Sequence, residues 1–268
     1  MKTTVSYKIW QVFYPVGIYY VVSSLMYFAL EYMIGTAQET YMLRQLICSS
    51  ATIPFILSFY MQDRKMRGES VRRSSAGSSV LTDILLPASA AAALGIAVNN
   101  ILAMTPLMQM SQGFSEANDA FFGGQLIYEL LGSCLLIPMA EELLFRGVVY
   151  GRLRMFMPLR FSLMFSALIF GLVHANLVQF LYAGILGLLL AFCLEQTGRL
   201  SAAVLGHIAA NTVAVIRQET GWLYFSYQKT VAGIGFTAGM LLTAAALVAV
   251  IYKTGGTDRS VTSGNCQR

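Results

Sequence analysis

Six side chains in this sequence have types and spacings that could carry chemistry: Glu141, Glu142 and Arg146 in one apolar run, His174 in a second, and His207 with Asn211 in a third. The two histidines are the only ones in the chain. A carboxylate beside an imidazole can deprotonate water, while a second imidazole and an amide N–H can donate to a developing oxyanion. No serine or cysteine occupies a matching position, so water is the expected nucleophile. The same set could instead hold a Zn²⁺ through Glu141, His174 and His207 with a water position open. The HExxH pattern of soluble zinc proteases is absent.

The elements that must position these residues are membrane spans. Of 268 residues, 56% are hydrophobic and 12% charged, with a mean hydropathy of +0.62. A water-soluble domain carries about a quarter charged residues, which excludes a soluble globule of this size. Runs near the roughly 20 residues that cross a bilayer fall at about 9–30, 41–61, 80–104, 130–151, 161–178, 179–195, 200–217 and 230–252. The fold class expected is an all-α polytopic bundle of about eight transmembrane helices, or seven if the short, closely joined fifth to seventh runs merge. It forms a single multi-pass domain over 1–268. The first run is too long for a signal-peptide core and is read as a retained helix.

Fourteen of the 18 Lys and Arg residues fall on one side of this arrangement, among them Arg64, Lys65, Arg67, Arg72, Arg73, Arg152, Arg154, Arg160 and Arg199. The positive-inside rule then places both termini in the cytoplasm and the protein in the cell membrane. The net charge of +5 is a matter of topology and implies no nucleic-acid partner; the expected partners are the lipid bilayer and a peptide or protein within it. The basic linker 62–79 is a topology determinant. The four cysteines form no disulfide frame or CxxC pair, and Cys266, with two residues after it, is not a prenylation box.

Ionisable groups in hydrocarbon are costly and so are candidates for function. At 1.5 Å per residue, Glu141 lies about 16 Å from Arg152, His174 about 20 Å from Phe161, and His207 and Asn211 about 10 and 16 Å from Leu200. Three helices thus bring polar groups to similar depth in the inner half of the membrane, which argues for one site. Glu142 and Arg146 stand at i,i+4 and can pair, leaving Glu141, about 100° round the axis, to face the interior. Phe170, one turn before His174, would wall its ring. Pro138 is read as a bend, with or without chemical meaning. Gly235 and Gly239 form a GxxxG assigned to helix packing.

Glu141-Glu142-Leu-Leu-Phe-Arg146, Phe170-Gly-Leu-Val-His174 and His207-Ile-Ala-Ala-Asn211 resemble the EExxxR, FxxxH and HxxxN motifs, in that order, of the CPBP family of intramembrane proteases, which includes CAAX-processing endopeptidases and bacteriocin-immunity relatives. The resemblance implies a catalytic core over 121–217 and peptide-bond hydrolysis within the membrane. It assigns water activation to Glu141 and His174 and oxyanion stabilisation to His207 and Asn211. No cofactor is favoured, because an Asn paired with a His suits an oxyanion hole better than a zinc shell; Zn²⁺ is the alternative.

Two other readings stand beside this one. A silent scaffold or immunity factor would not need every polar member that is present here. A proton-coupled or metal-ion transporter would also use intramembrane Glu and His, but no inverted repeat or second acidic site is visible.

Overall fold

The computed structural model describes residues 4–67 and 79–255. Lys2, Arg72, Arg73, Arg259, Cys266 and Arg268, and with them most of the basic linker, lie outside the described residues. Everything described is helix, turn or irregular chain, and no strand occurs among the described residues.

The chain runs through α1 (Val5–Ile34), α2 (Tyr41–Met66), α3 (Leu86–Ala103), the short α4 (Gln112–Phe121), the composite α5 (Leu126–Phe156), α6 (Leu159–Leu172), α7 (Leu177–Thr197), α8 (Leu200–Thr220) and α9 (Val231–Gly255). Local chemistry sets several ends. The Thr4 hydroxyl accepts from the Tyr7 N–H to cap α1, and the Asn176 side chain accepts from the Gln179 N–H at 2.9 Å to start α7. Gly198, at φ +66°, supplies the left-handed residue that closes α7.

Among the described residues, six helices are long and apolar enough to cross a membrane: α1, Gln38–Met66, Leu81–Ala103, α7, α8 and α9. A seventh span follows if α4 and α5, bent by 108°, count as one. The fifth apolar run of the sequence, 161–178, becomes α6, whose 14 residues reach only about 21 Å. Alone it is too short to span. Side chains such as Phe28, Leu25, Leu242 and Val231 stand outward on the spanning helices, as a lipid-facing surface requires.

Among the described residues, two of the three apolar clusters do most to hold the bundle together. Val12 and Val16 of α1 and Ile56 of α2 pack on Leu144, Phe145 and Val148 of α5 and on Phe170 of α6. Ala90 and Ala91 of α3, Leu186 and Leu190 of α7, and Ala202, Ala203 and Ala210 of α8 form the other. In the second cluster, small side chains on α3 and α8 let the backbones approach, the usual basis of helix association in lipid. The GxxxG of α9 does not contribute: a Cβ at Gly235 or Gly239 would meet nothing within 4 Å, so the packing expected there is not made within this chain.

Guanidinium groups lock the bundle at more places than hydropathy suggests. Arg152 donates to both oxygens of Asp63 at 2.6 and 2.9 Å, to the Gln11 carbonyl and to the Tyr14 hydroxyl, joining α5, α2 and α1. Arg217 of α8 donates to Asn100 Oδ1 on α3 at 2.6 Å and to Ser226, and lies over the Tyr227 ring. Arg44 donates to the Gly35 carbonyl and the Tyr27 hydroxyl. All three are buried, so Arg146 is not the one interior cation that hydropathy singles out.

Candidate active site

The carboxylates sit at a change of helical register. Within α5 the α-helical turns Leu126–Leu131, Ile137–Glu142 and Gly151–Phe156 alternate with π-helical Gly132–Leu136 and Leu143–Tyr150. Glu141 and Glu142 end the middle α-helical segment and Arg146 lies in the π-helical stretch that follows. Such wide turns inside helices recur at functional sites, because they move side chains and free backbone groups.

Glu142 and Arg146 form the expected i,i+4 pair, Nη1 to Oε1 at 2.9 Å, with both side chains fully buried. The Arg146 guanidinium lies over the Phe170 ring, 4.2 Å from its centroid. That aromatic face receives the cation where Arg146 Nε and Nη2 have no hydrogen-bond partner. Space for the guanidinium comes from Gly187 on α7: a Cβ there would stand 2.6 Å from Arg146 Nη2 and 2.9 Å from Phe170 Cδ1. No sequence pattern marked this glycine.

Glu141 differs from its neighbour in environment. Its side chain is 19% exposed, and its Oε2 lies 3.8 Å from His207 Nε2. The other ring nitrogen of His207 is committed: Nδ1 is 2.9 Å from Glu142 Oε1, the oxygen that also accepts from Arg146. A carboxylate paired with a guanidinium accepts, so this imidazole carries a proton on Nδ1 and donates it. His207 is thereby bridged between the two adjacent acids, an arrangement the i,i+4 spacing with Asn211 did not indicate.

His174 is not within a helix, as the apolar run had suggested. Helix α6 ends at Leu172, and His174 lies in the turn before α7, where Ala175 takes a left-handed φ of +59° and Asn176 caps the next helix. His174 Nδ1 is 2.8 Å from the Phe170 carbonyl oxygen, which can only accept. The proton is therefore on Nδ1, and in the neutral ring Nε2 presents a lone pair. Phe170 is the plate on which the site is assembled, with edge-on rings of His174 and His207 at centroid distances of 5.0 and 5.8 Å.

Asn211 points back to α5 rather than standing free. Its Nδ2 donates to the Ser133 carbonyl at 2.8 Å, which leaves one amide hydrogen uncommitted. All six residues singled out from the sequence thus lie on elements that meet at the Phe170 plate or on the adjoining face of α5 and α8. Among the described residues, no three His, Cys, Asp or Glu side chains are arranged to hold a metal ion. Both histidines turn Nδ1 to protein oxygens, so the nitrogen that each leaves toward the site is Nε2, and that of His207 faces Glu141.

Residues 123–213 match the family described as type II CAAX prenyl endopeptidase Rce1-like. Over 102 residues the chain is 33% identical to a curated Bacillus subtilis (strain 168) protein described as "Putative membrane peptidase YdiL", a match covering 38% of this chain and 42% of that relative. The chain thus spans less than half the length of the curated relative it matches. No solved structure matches it. The matched segment takes in Glu141, Glu142, Arg146, His174, His207 and Asn211 together, and its similarity to these proteins supports a membrane protease of the CPBP family.

Proposed function

We propose that this protein is an intramembrane endopeptidase that hydrolyses a peptide bond of a membrane-associated or lipidated peptide or protein with a water activated by Glu141 and His174. The observation that carries the reading is the division of labour between adjacent carboxylates. Glu142 is buried and neutralised by Arg146, whereas Glu141 is accessible and beside an imidazole. One acid holds the site and the other is available to react.

In this reading Glu141 takes a proton from water while the lone pair of His174 Nε2 accepts the water's other hydrogen and aims its oxygen. Attack on the scissile carbonyl places negative charge on its oxygen. His207, protonated on both nitrogens, donates from Nε2 while Glu142 holds Nδ1, and the uncommitted N–H of Asn211 is the second donor. Glu141 then returns its proton to the leaving amine as the tetrahedral intermediate collapses. With His207 protonated, the charges of Glu141 and Glu142 are balanced by Arg146 and His207, as a site in low dielectric requires. No step needs a metal.

The excess of Lys and Arg on one set of connections supports a cell-membrane orientation with both termini cytoplasmic, opening the site toward the inner half of the bilayer. The test is a comparison of membrane peptides from cells carrying wild-type protein with those carrying Glu141→Ala, together with turnover by the purified protein in detergent. Cleavage products lost in the variant and formed in detergent support the protease. A wild-type protein that cleaves nothing in detergent but moves protons or ions across sealed vesicles would replace it with a transporter.

A further inference from the structure

The π-helical turn at Gly132–Leu136 and the proline that follows it leave one carbonyl unclaimed, and Asn211 takes it. The Ile137 N–H bonds to the Gly132 carbonyl, five residues back. In that register the Ser133 carbonyl would receive its hydrogen bond from residue 138, which is Pro138 and has no N–H. The α-helical donor to Ser133 would be Ile137, already committed to Gly132. Buried backbone carbonyls in a membrane protein require a partner, and the one present is Asn211 Nδ2 at 2.8 Å.

We propose that Pro138, acting through the Ser133 carbonyl, is the positioning residue for Asn211: by withholding a backbone N–H it reserves the Ser133 oxygen for the Asn211 amide, which fixes the plane of that amide and the direction of its second N–H. The inference rests on Asn211 donating to the oxyanion. One hydrogen of a planar NH₂ group anchored to a rigid helix sets the direction of the other, and an amide free to rotate would lose that preorganisation. The bend at Pro138 is then a consequence of a hydrogen-bond assignment, and its placement three residues before Glu141 puts anchor and base on one helix.

Substitution Pro138→Ala supplies the missing N–H. Whether α5 keeps its wide turn, so that the new N–H reaches Ser133, or relaxes to α-helix, so that Ile137 does, the Ser133 carbonyl gains a helical donor and Asn211 loses its anchor. The expected result is a kcat about 10-fold to 10²-fold lower with KM nearly unchanged, the pattern of a group acting only in the transition state. The decisive measurement is the double-mutant cycle with Asn211→Ala. In that background Pro138→Ala should change kcat by less than about twofold, because the residue it positions is gone. Multiplicative losses in the double variant would show that Pro138 acts by shaping the helix alone and would overturn the inference, as would an unchanged kcat in Pro138→Ala beside a lowered one in Asn211→Ala. An unchanged kcat in Asn211→Ala would instead remove the donor role itself. Pro138→Ser offers the same N–H on a different side chain and gives the same readout should Pro138→Ala fail to accumulate.

Discussion

His207 Nδ1 and Glu142 Oε1 lie 2.9 Å apart, on helices 65 residues distant in sequence, and this contact decides what each can do. It fixes the imidazole so that Nε2 faces Glu141, and it makes Glu142 a support shared between Arg146 and His207. The two adjacent acids of the EExxxR motif therefore have unlike environments, set by which of them the neighbouring helix reaches.

Glu141→Ala should abolish cleavage while leaving the fold intact, since its side chain is partly exposed and holds no buried partner at hydrogen-bond distance. Removing an acid–base group lowers rates by about 10² to 10⁴. The check is kcat of the purified variant beside its melting curve in detergent; full activity would remove Glu141 from the mechanism.

Arg146→Ala should cost both stability and activity. It leaves the fully buried Glu142 carboxylate without its guanidinium and with His207 as its remaining partner, and breaking a buried pair destabilises by about 3–5 kcal/mol. Thermal unfolding in detergent reads this directly, and a variant that melts and cleaves like wild type would show the pair to be incidental.

A pair of glycine substitutions one turn apart on α7 isolates the space around Arg146. In Gly187→Ala the new methyl would collide with the guanidinium and with the Phe170 ring, whereas in Gly184→Ala the nearest atom is the Ala167 carbonyl oxygen at 3.9 Å. The first should lower activity at least about tenfold and reduce the melting temperature, since overpacking typically costs 1–3 kcal/mol. The second should leave both near wild type. Equal effects would mean that helix propensity, and not the approach to Arg146, governs position 187.

The ion pair of Asp63 with Arg152 is a test of scaffold alone. Asp63→Asn removes the charge from a bidentate, buried contact between α2 and α5 and should lower the unfolding temperature clearly. The kcat of the protein that remains folded should stay within about threefold of wild type, because the hydrogen bonds of Arg152 go to Asp63, Gln11 and Tyr14 and to none of the site residues.

Prolonged chelation should leave activity unchanged, and metal analysis of the active protein should find zinc well below one per chain. Both follow from the proposed mechanism, in which Glu141 and His174 activate the water as acid–base groups. Stoichiometric zinc with inhibition reversed by added metal would replace the water-activation mechanism by a metal-dependent one.

The sequence by itself determined the class of the fold and singled out the candidate residues that the structure brings near Phe170. Hydrocarbon tolerates few charges, so hydropathy separates the spans from their connections, and the few polar residues left inside the spans are informative because each is costly there. The Glu142 to Arg146 pair was legible too, since both ends lie on one helix and i,i+4 geometry is local. Pro138 was visible as a bend, but its meaning was not, because that depends on which carbonyl the bend releases and what lies opposite. Where hydropathy erred, it erred for a related reason. His174 falls in the turn between the end of α6 at Leu172 and the start of α7, which Asn176 caps, and Arg152 and Arg217 are buried because neighbouring helices carry Asp63 and Asn100 to meet them. The bridging of His207 between Glu141 and Glu142, the space that Gly187 leaves for Arg146, and the bond from Asn211 to Ser133 were decided only by the tertiary structure. Each is a contact between helices, and the depth and rotation of one helix against another are set by packing over the whole bundle, which no local spacing encodes.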